Sequence, residues 1–142
     1  MTNELFVDTG AWYALQVPDD AWHAQAAQTL ARVVARALPL VTTNLVVGET
    51  YSLLVRTHGT TVARRFLQAV AGSPRLIRVF VDEATEREGY ELLRRYADHA
   101  FSYVDGTSFA VMRRRRTRSA FAFDRHFATA GFVRIPVDEP IA

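Results

Sequence analysis

Residues 4–10 read Glu4-Leu5-Phe6-Val7-Asp8-Thr9-Gly10, an apolar run that ends in a carboxylate and passes at once into a helix-like stretch. Open α/β sheets bind ligands at the carboxyl ends of their strands, so an acid at a strand tip has a defined place in such a fold. The same figure recurs down the chain. Leu40-Val41-Thr42-Thr43 leads to Glu49, Asp105 opens the segment Asp105-Gly106-Thr107-Ser108, and Phe121-Ala122-Phe123 ends in Asp124.

Working outward from these acids, short apolar strands alternate with amphipathic segments. Strands are expected over residues 4–8, 40–43, 76–81, 120–123 and 132–135, the last closed by Pro136. A short helix follows Thr9. A second, capped by Asp19 or Asp20, runs to about Ala37 with Ala27, Leu30, Val34 and Leu38 as its apolar stripe. Thr43 or Asn44 caps a helix that His58-Gly59 ends. Thr60 or Thr61 caps the next, with Val62, Phe66, Leu67 and Val70 on one side. Asp82 and Ser102 cap two more, and a short helix starts at Arg125. This order predicts an α/β domain in three layers, with a central, mainly parallel five-stranded sheet covered on both faces by helices. Right-handed crossovers place every strand's carboxyl end along one edge. Asp8 and Asp124 fall on that edge directly, Glu49 lies about one and a half helical turns beyond it, and Asp105 sits in a first helical turn.

The 142 residues suit one domain, residues 1–142, with a substantial core. The apolar fraction of 49% argues against disorder. No apolar run approaches the roughly 20 residues that span a bilayer, and the first residues lack the regions of a signal peptide, so a cytoplasmic protein is expected. With no cysteine, disulfides and thiolate metal sites are excluded. All 17 basic residues are arginine, a bias that reads foremost as that of a GC-rich genome. It also closes any mechanism that needs an active-site lysine.

Taken singly, each acid also reads as a helix cap or a solvated loop residue, and Asp20 and Asp82 read as caps alone. The set says more. Four carboxylates brought to one edge repel one another, and the usual remedy is a divalent cation. Oxygen donors without histidine or cysteine select magnesium or manganese over zinc. Such ions stabilise the attacking and leaving oxygens of phosphodiester hydrolysis and activate water. Asp8, Glu49, Asp105 and Asp124 are therefore the candidate catalytic and metal-binding residues. Thr9, Thr107 and Ser108 are candidates to orient ligands or waters, and each equally reads as a capping hydroxyl. Arg113, Arg114, Arg115, Arg116 and Arg118, together with Arg125, are candidates for phosphate contacts. The run also reads as a solvated helix end whose cations suit the dipole.

In order along the chain, Phe6-Val7-Asp8-Thr9-Gly10-Ala11, Thr42 to Thr50, Ser102 to Ala110 and Phe123-Asp124-Arg125-His126-Phe127 together resemble a PIN-domain ribonuclease of the VapC toxin type. The resemblance spans nearly the whole chain, and the family's acidic quartet maps onto Asp8, Glu49, Asp105 and Asp124. It implies a magnesium- or manganese-dependent endoribonuclease that acts on cellular RNA, a cognate antitoxin protein that blocks the acidic site, and a homodimer. Gly10 stands where a small hydroxyl residue is common in that family, and Gly106 where alanine is common.

Other readings fit less of the chain. The segment Phe6 to Ala11 also looks like the loop of a retroviral-type aspartic protease, but that family is all-β. A phosphoaspartyl enzyme or receiver domain generally relies on a lysine that is missing here. A DNA-directed nuclease shares the metal chemistry and differs in its groove and in recognition of the 2′-hydroxyl. A non-catalytic RNA-binding module would not need all four acids. His23, His58, His99 and His126 are scattered and read as surface or capping residues. Trp12, Tyr13 and Trp22 read as core or dimer-interface aromatics.

Overall fold

Phe6, Val7, Val41, Ala120, Phe121 and Ala122 are wholly shielded from solvent. Strands buried on both faces, as these are, belong to the middle of a parallel sheet. The computed structural model describes residues 3–141. Its elements are β1 (Leu5–Val7), α1 (Thr9–Gln16), α2 (His23–Ala35), β2 (Leu40–Thr43), α3 (Asn44–His58), α4 (Thr60–Ala71), β3 (Leu76–Val79), α5 (Glu83–Arg95), α6 (Tyr103–Arg115), β4 (Ser119–Ala122), α7 (Arg125–Thr129) and β5 (Val133–Pro136). The sheet has the order β3-β2-β1-β4-β5, and all four pairings are parallel. The expected α/β architecture is present.

The order of the strands positions the site. From β1 the chain steps outward through β2 to β3, then returns to the other side of β1 for β4 and β5. Right-handed crossovers put α1–α4 on one face and α5–α7 on the other. The reversal falls between β1 and β4, where Phe6 pairs with Ala120 and Val7 with Phe121. Helices on the two faces diverge there and leave a crevice at the strand ends. The buried aromatics Phe109 and Phe127 meet edge to face, with centroids 5.1 Å apart, and fix α7 against α6.

Several local expectations are corrected. The buried face of α2 carries Ala26, Thr29 and Val33, while Ala27 and Val34 face solvent. Ala26-Ala27 and Val33-Val34 are pairs of equal hydropathy, so the pattern cannot fix the phase; packing against α1 and β5 does, with Leu30 and Leu38 still against the core. The start of α2 is uncapped by Asp19 or Asp20; Asp20 Oδ2 instead accepts from the Trp22 amide at 2.9 Å. Gly59, not Thr60 or Thr61, is the N-cap of α4. It ends α3 and begins α4 in one residue at φ 86°, a left-handed conformation that glycine tolerates. Ala63 joins Phe66 and Val70 in the core, whereas Leu67 is exposed. β3 ends at Val79, because it matches the four residues of β2 and no more; the Val81 amide donates to Asn44 Oδ1 instead.

Gly106 has a physical reason. A Cβ there would lie 2.7 Å from Leu93 Cγ and 3.0 Å from the Gly89 carbonyl oxygen. The crossing of α5 and α6 is thus closer than an alanine permits. No such constraint acts on Gly10, around which a Cβ would meet nothing within 4 Å.

Candidate active site

Asp8 is the N-cap residue of α1, yet its side chain makes no capping hydrogen bond. Its amide donates to the Phe121 carbonyl at 3.1 Å, which ties the tip of β1 to β4. Beneath it, Thr42 Oγ1 donates to the Val7 carbonyl (3.0 Å) and accepts from Trp12 Nε1 (3.3 Å). The Asp8 carboxyl group therefore stands on a fixed backbone, in a residue only 7% exposed.

Burial is the largest influence on this group, pushing its pKa up from 3.8 to about 7. The Thr9 amide opposes the shift by stabilising the anion, and the charges of Asp105, Glu49 and Asp124 add to it. All three other acids of the quartet thus act on Asp8, and the fold gathers them at the strand ends. Glu49 arrives on α3, whose first turn is closed by Thr43 Oγ1 accepting from the Val46 amide; it is exposed at the rim. Helix α3 touches α6 across the crevice.

Asp105 is held more tightly. Ser102 and Asp105 form a reciprocal capping box at the start of α6. Asp105 Oδ2 accepts from the Ser102 amide at 2.9 Å and from His126 Nδ1 at 2.9 Å. A carboxylate can only accept, so Nδ1 carries the proton. Asp124 caps α7 by accepting from the His126 amide (2.8 Å), and His126 Nδ1 lies 3.6 Å from Asp124 Oδ1. One imidazole thus spans two of the acids. The sequence reading that left His126 on the surface is corrected. Its place two residues beyond Asp124 was visible, but contact with Asp105, 21 residues away, was not.

The supporting hydroxyls divide. Thr107 donates to the carbonyls of Tyr103 and Val104 and serves the helix backbone. Thr9 Oγ1 and Ser108 Oγ are buried with no hydrogen-bond partner. Buried polar atoms rarely stay unpaired, and Thr9 adjoins Asp8, so its hydroxyl has capacity for a ligand or water.

The arginines lie apart from the acids. Arg115 forms a two-pronged pair with Glu4 at 2.7 and 3.0 Å, and Thr117 donates to the same carboxylate at 2.7 Å. Glu4 precedes β1 at the opposite end of the sheet from Asp8. Arg114 bonds Glu88 and Thr85, and Arg118 pairs with Glu139 at 3.5 Å. Arg113 and Arg116 are exposed. Asp105 and Arg115 are separated by ten residues of one helix, about 15 Å. Helix length carries this run away from the acids, and its ion pairs with Glu88, Glu4 and Glu139 fit the solvated helix end, while Arg113 and Arg116 keep exposed guanidinium groups that can meet phosphate. Arg125 is exposed beside Asp124 and has no ion pair among the described residues.

Oxygen donors, a buried acid crowded by three others and an unpaired hydroxyl fit magnesium or manganese. Among the described residues no three acidic, histidine or cysteine side chains are placed to hold a metal ion together. That is compatible with magnesium, which usually keeps several waters and takes one or two carboxylates plus phosphate oxygens.

Comparison with known proteins agrees with this fold. The PIN domain family profile matches residues 5–133. The 23S rRNA-specific endonuclease VapC20 of Mycobacterium tuberculosis, strain H37Rv, is 40% identical over 136 residues, which cover 92% of this chain and 97% of the relative. The same endonuclease of strain CDC 1551 matches equally. A crystal structure of Mycobacterium tuberculosis VapC20, described as a sarcin-ricin loop cleaving toxin, superposes with a TM-score of 0.82 at 38% identity. It covers 92% of this chain and 98% of that one. No helix among the described residues is long and apolar enough to cross a membrane.

Proposed function

The chain belongs to the PIN-domain family, and from that premise we propose that it is a VapC-type toxin that cuts RNA with Asp8, Glu49, Asp105 and Asp124 around magnesium or manganese. The observation that carries this reading is the buried Asp8 carboxyl group at the tip of β1, whose charge burial opposes and the charges of Asp105, Glu49 and Asp124 oppose further. The relatives at 40% identity make the sarcin–ricin loop of 23S rRNA the first substrate to try. A ribosomal substrate would place the protein in the cytoplasm. A cognate antitoxin that covers the acids and a homodimer complete the proposal, with residues 1–142 as one nuclease domain.

In this scheme Asp8, Asp105 and Asp124 would hold a cation, directly or through its waters, and Glu49 stands at the rim. Such an ion would supply charge stabilisation for the phosphate oxygens and a more acidic water. Asp105 keeps its aim because Ser102 and His126 occupy one of its oxygens. Exposed Glu49 positions the attacking water and accepts its proton. Arg125, beside Asp124, takes a neighbouring phosphate. Thr9 Oγ1 holds a water or ligand oxygen at the base of the crevice.

The test is cleavage of total RNA and of a sarcin–ricin-loop hairpin, with mapped ends, in magnesium, manganese or EDTA. Wild-type protein cuts at discrete sites with either metal and not in EDTA, and Asp8→Asn does not cut. Cleavage of equal rate by Asp8→Asn defeats the assignment.

A further inference from the structure

An aromatic face next to Asp124 takes no part in the hydrolysis described above. Trp22 lies in the turn between α1 and α2 and is 42% exposed. The turn is well fixed. The Trp22 amide donates to Asp20 Oδ2 (2.9 Å), the His23 amide donates to the Asp20 carbonyl (3.0 Å), and His23 Nδ1 lies 2.7 Å from the Ala14 carbonyl oxygen. One face of the indole stacks on Phe123, with centroids 4.7 Å apart and planes at 18°. With that face covered, the exposure belongs to the other face and the ring edge.

The stack is continuous with the acidic site. Phe123 immediately precedes Asp124, and it rests against Phe121, whose carbonyl holds the Asp8 amide. Arg134 Nη1 braces the Phe123 carbonyl at 3.3 Å. Beside Trp22 opens a cleft of about 300 Å³, lined along α2 by Gln25, Gln28 and Arg32 and closed by Val137 and Ile141. Arg32 has no ion pair among the described residues.

We propose that Trp22 and this cleft form a nucleotide subsite, in which an unpaired base flanking the cleaved phosphodiester stacks on the indole. The proposal rests on the ribonuclease reading above. Unpaired RNA is recognised by stacking on aromatic rings and by hydrogen bonds to base edges, and stacking alone tolerates any base. Gln25 and Gln28 each offer a donor and an acceptor for a base edge. Arg32, ten residues along α2 and about 15 Å from Trp22, supplies a fork for a phosphate farther along the strand. A protein helix would instead seek a continuous apolar groove, and only one wall of this cleft, Pro136, Val137 and Ile141, is apolar, the α2 wall offering amides, a hydroxyl and a guanidinium.

The test uses the full-length protein and a sarcin–ricin-loop hairpin RNA. In cleavage assays Trp22→Ala raises KM by ~10-fold while kcat changes little, as loss of a contact made equally in ground and transition states requires. Trp22→Phe restores KM, and Trp22→Leu, which keeps bulk without an aromatic face, does not; this pair decides the matter even should Trp22→Ala fail to fold. In the Asp8→Asn background, RNA quenches tryptophan emission. Because Trp12 is only 6% exposed, adding Trp22→Phe removes that quench. Unchanged KM in both Trp22→Ala and Trp22→Leu, with the quench intact in the double variant, overturns the subsite. The same holds if those variants weaken only the complex with the cognate antitoxin, since the face is then a protein dock. Absence of cleavage by wild type, by contrast, sinks the ribonuclease reading itself.

Discussion

At the residue scale, Asp8 sets function against stability. A carboxyl group whose pKa rises on folding favours the native state most below its unfolded value, near 3.8, and loses that advantage as pH rises through about 7. In EDTA, the melting temperature should therefore fall between pH 5 and pH 8. Asp8→Asn should flatten that fall and stabilise the metal-free protein at pH 8 by on the order of 1–4 kcal/mol while abolishing cleavage. A steeper decline in the variant would show that the site does not burden the fold. In the proposed site His126 is a positioning residue, since its Nδ1 holds Asp105 Oδ2 at 2.9 Å. Loss of such a partner typically lowers metal affinity or activity by ~10–100-fold. His126→Ala should accordingly raise the manganese concentration at half-maximal cleavage, with partial recovery at high manganese. A loss of rate insensitive to manganese would mean that the imidazole does something else. Asp8 and Asp124 were legible as strand-tip acids because each ends an apolar run. The His126–Asp105 contact was not, since it joins two helix starts that only the folded sheet brings together.

At the scale of elements, the α5–α6 crossing is the sharpest constraint. Gly106→Ala must push against Leu93 and the Gly89 backbone. Overpacking of this kind costs about 1–3 kcal/mol, more than alanine returns through helix propensity. Denaturant unfolding should show that loss, and Gly10→Ala should be far milder. A stabilised Gly106→Ala would mean that the helices separate easily. The caps at Thr43, Asp82 and Ser102 were legible, since each is a hydroxyl or carboxylate placed just before a helical stretch. The phase of α2 was not, because adjacent residues of equal hydropathy leave it ambiguous, and the helix starts only at His23. The glycine at 106 looked like a small departure from the family pattern; its cause is a neighbour 13 residues earlier.

Across the whole molecule, the arginines at the end of α6 lie at the opposite end of the sheet from the strand-tip acids, and one of them meets Glu4 there. Burial opposes the charge on Glu4, but hydrogen bonds from Arg115 and Thr117 and the charge of Arg115 prevail, so its pKa stays below the ordinary range. Arg115 is 33% exposed and Glu4 7%, so Arg115→Ala should cost less than a fully buried pair, about 2 kcal/mol. The cost should shrink as acid protonates Glu4, and cleavage by the folded variant should be unchanged. Lost cleavage at full folding would return this arginine to the substrate surface. The run could not be placed from sequence, because its main partner stands 111 residues away.

If the acids at the strand ends bind a cation, the fold must respond to metal at pH 8. Manganese or magnesium, at about 100 times its dissociation constant, should raise the melting temperature of the wild-type protein by roughly 5 °C or more. The rise should vanish when Asp8 and Asp105 are both replaced by asparagine. A wild-type protein indifferent to both ions, or an equal rise in the double variant, would contradict the claim that these acids are gathered to hold a cation.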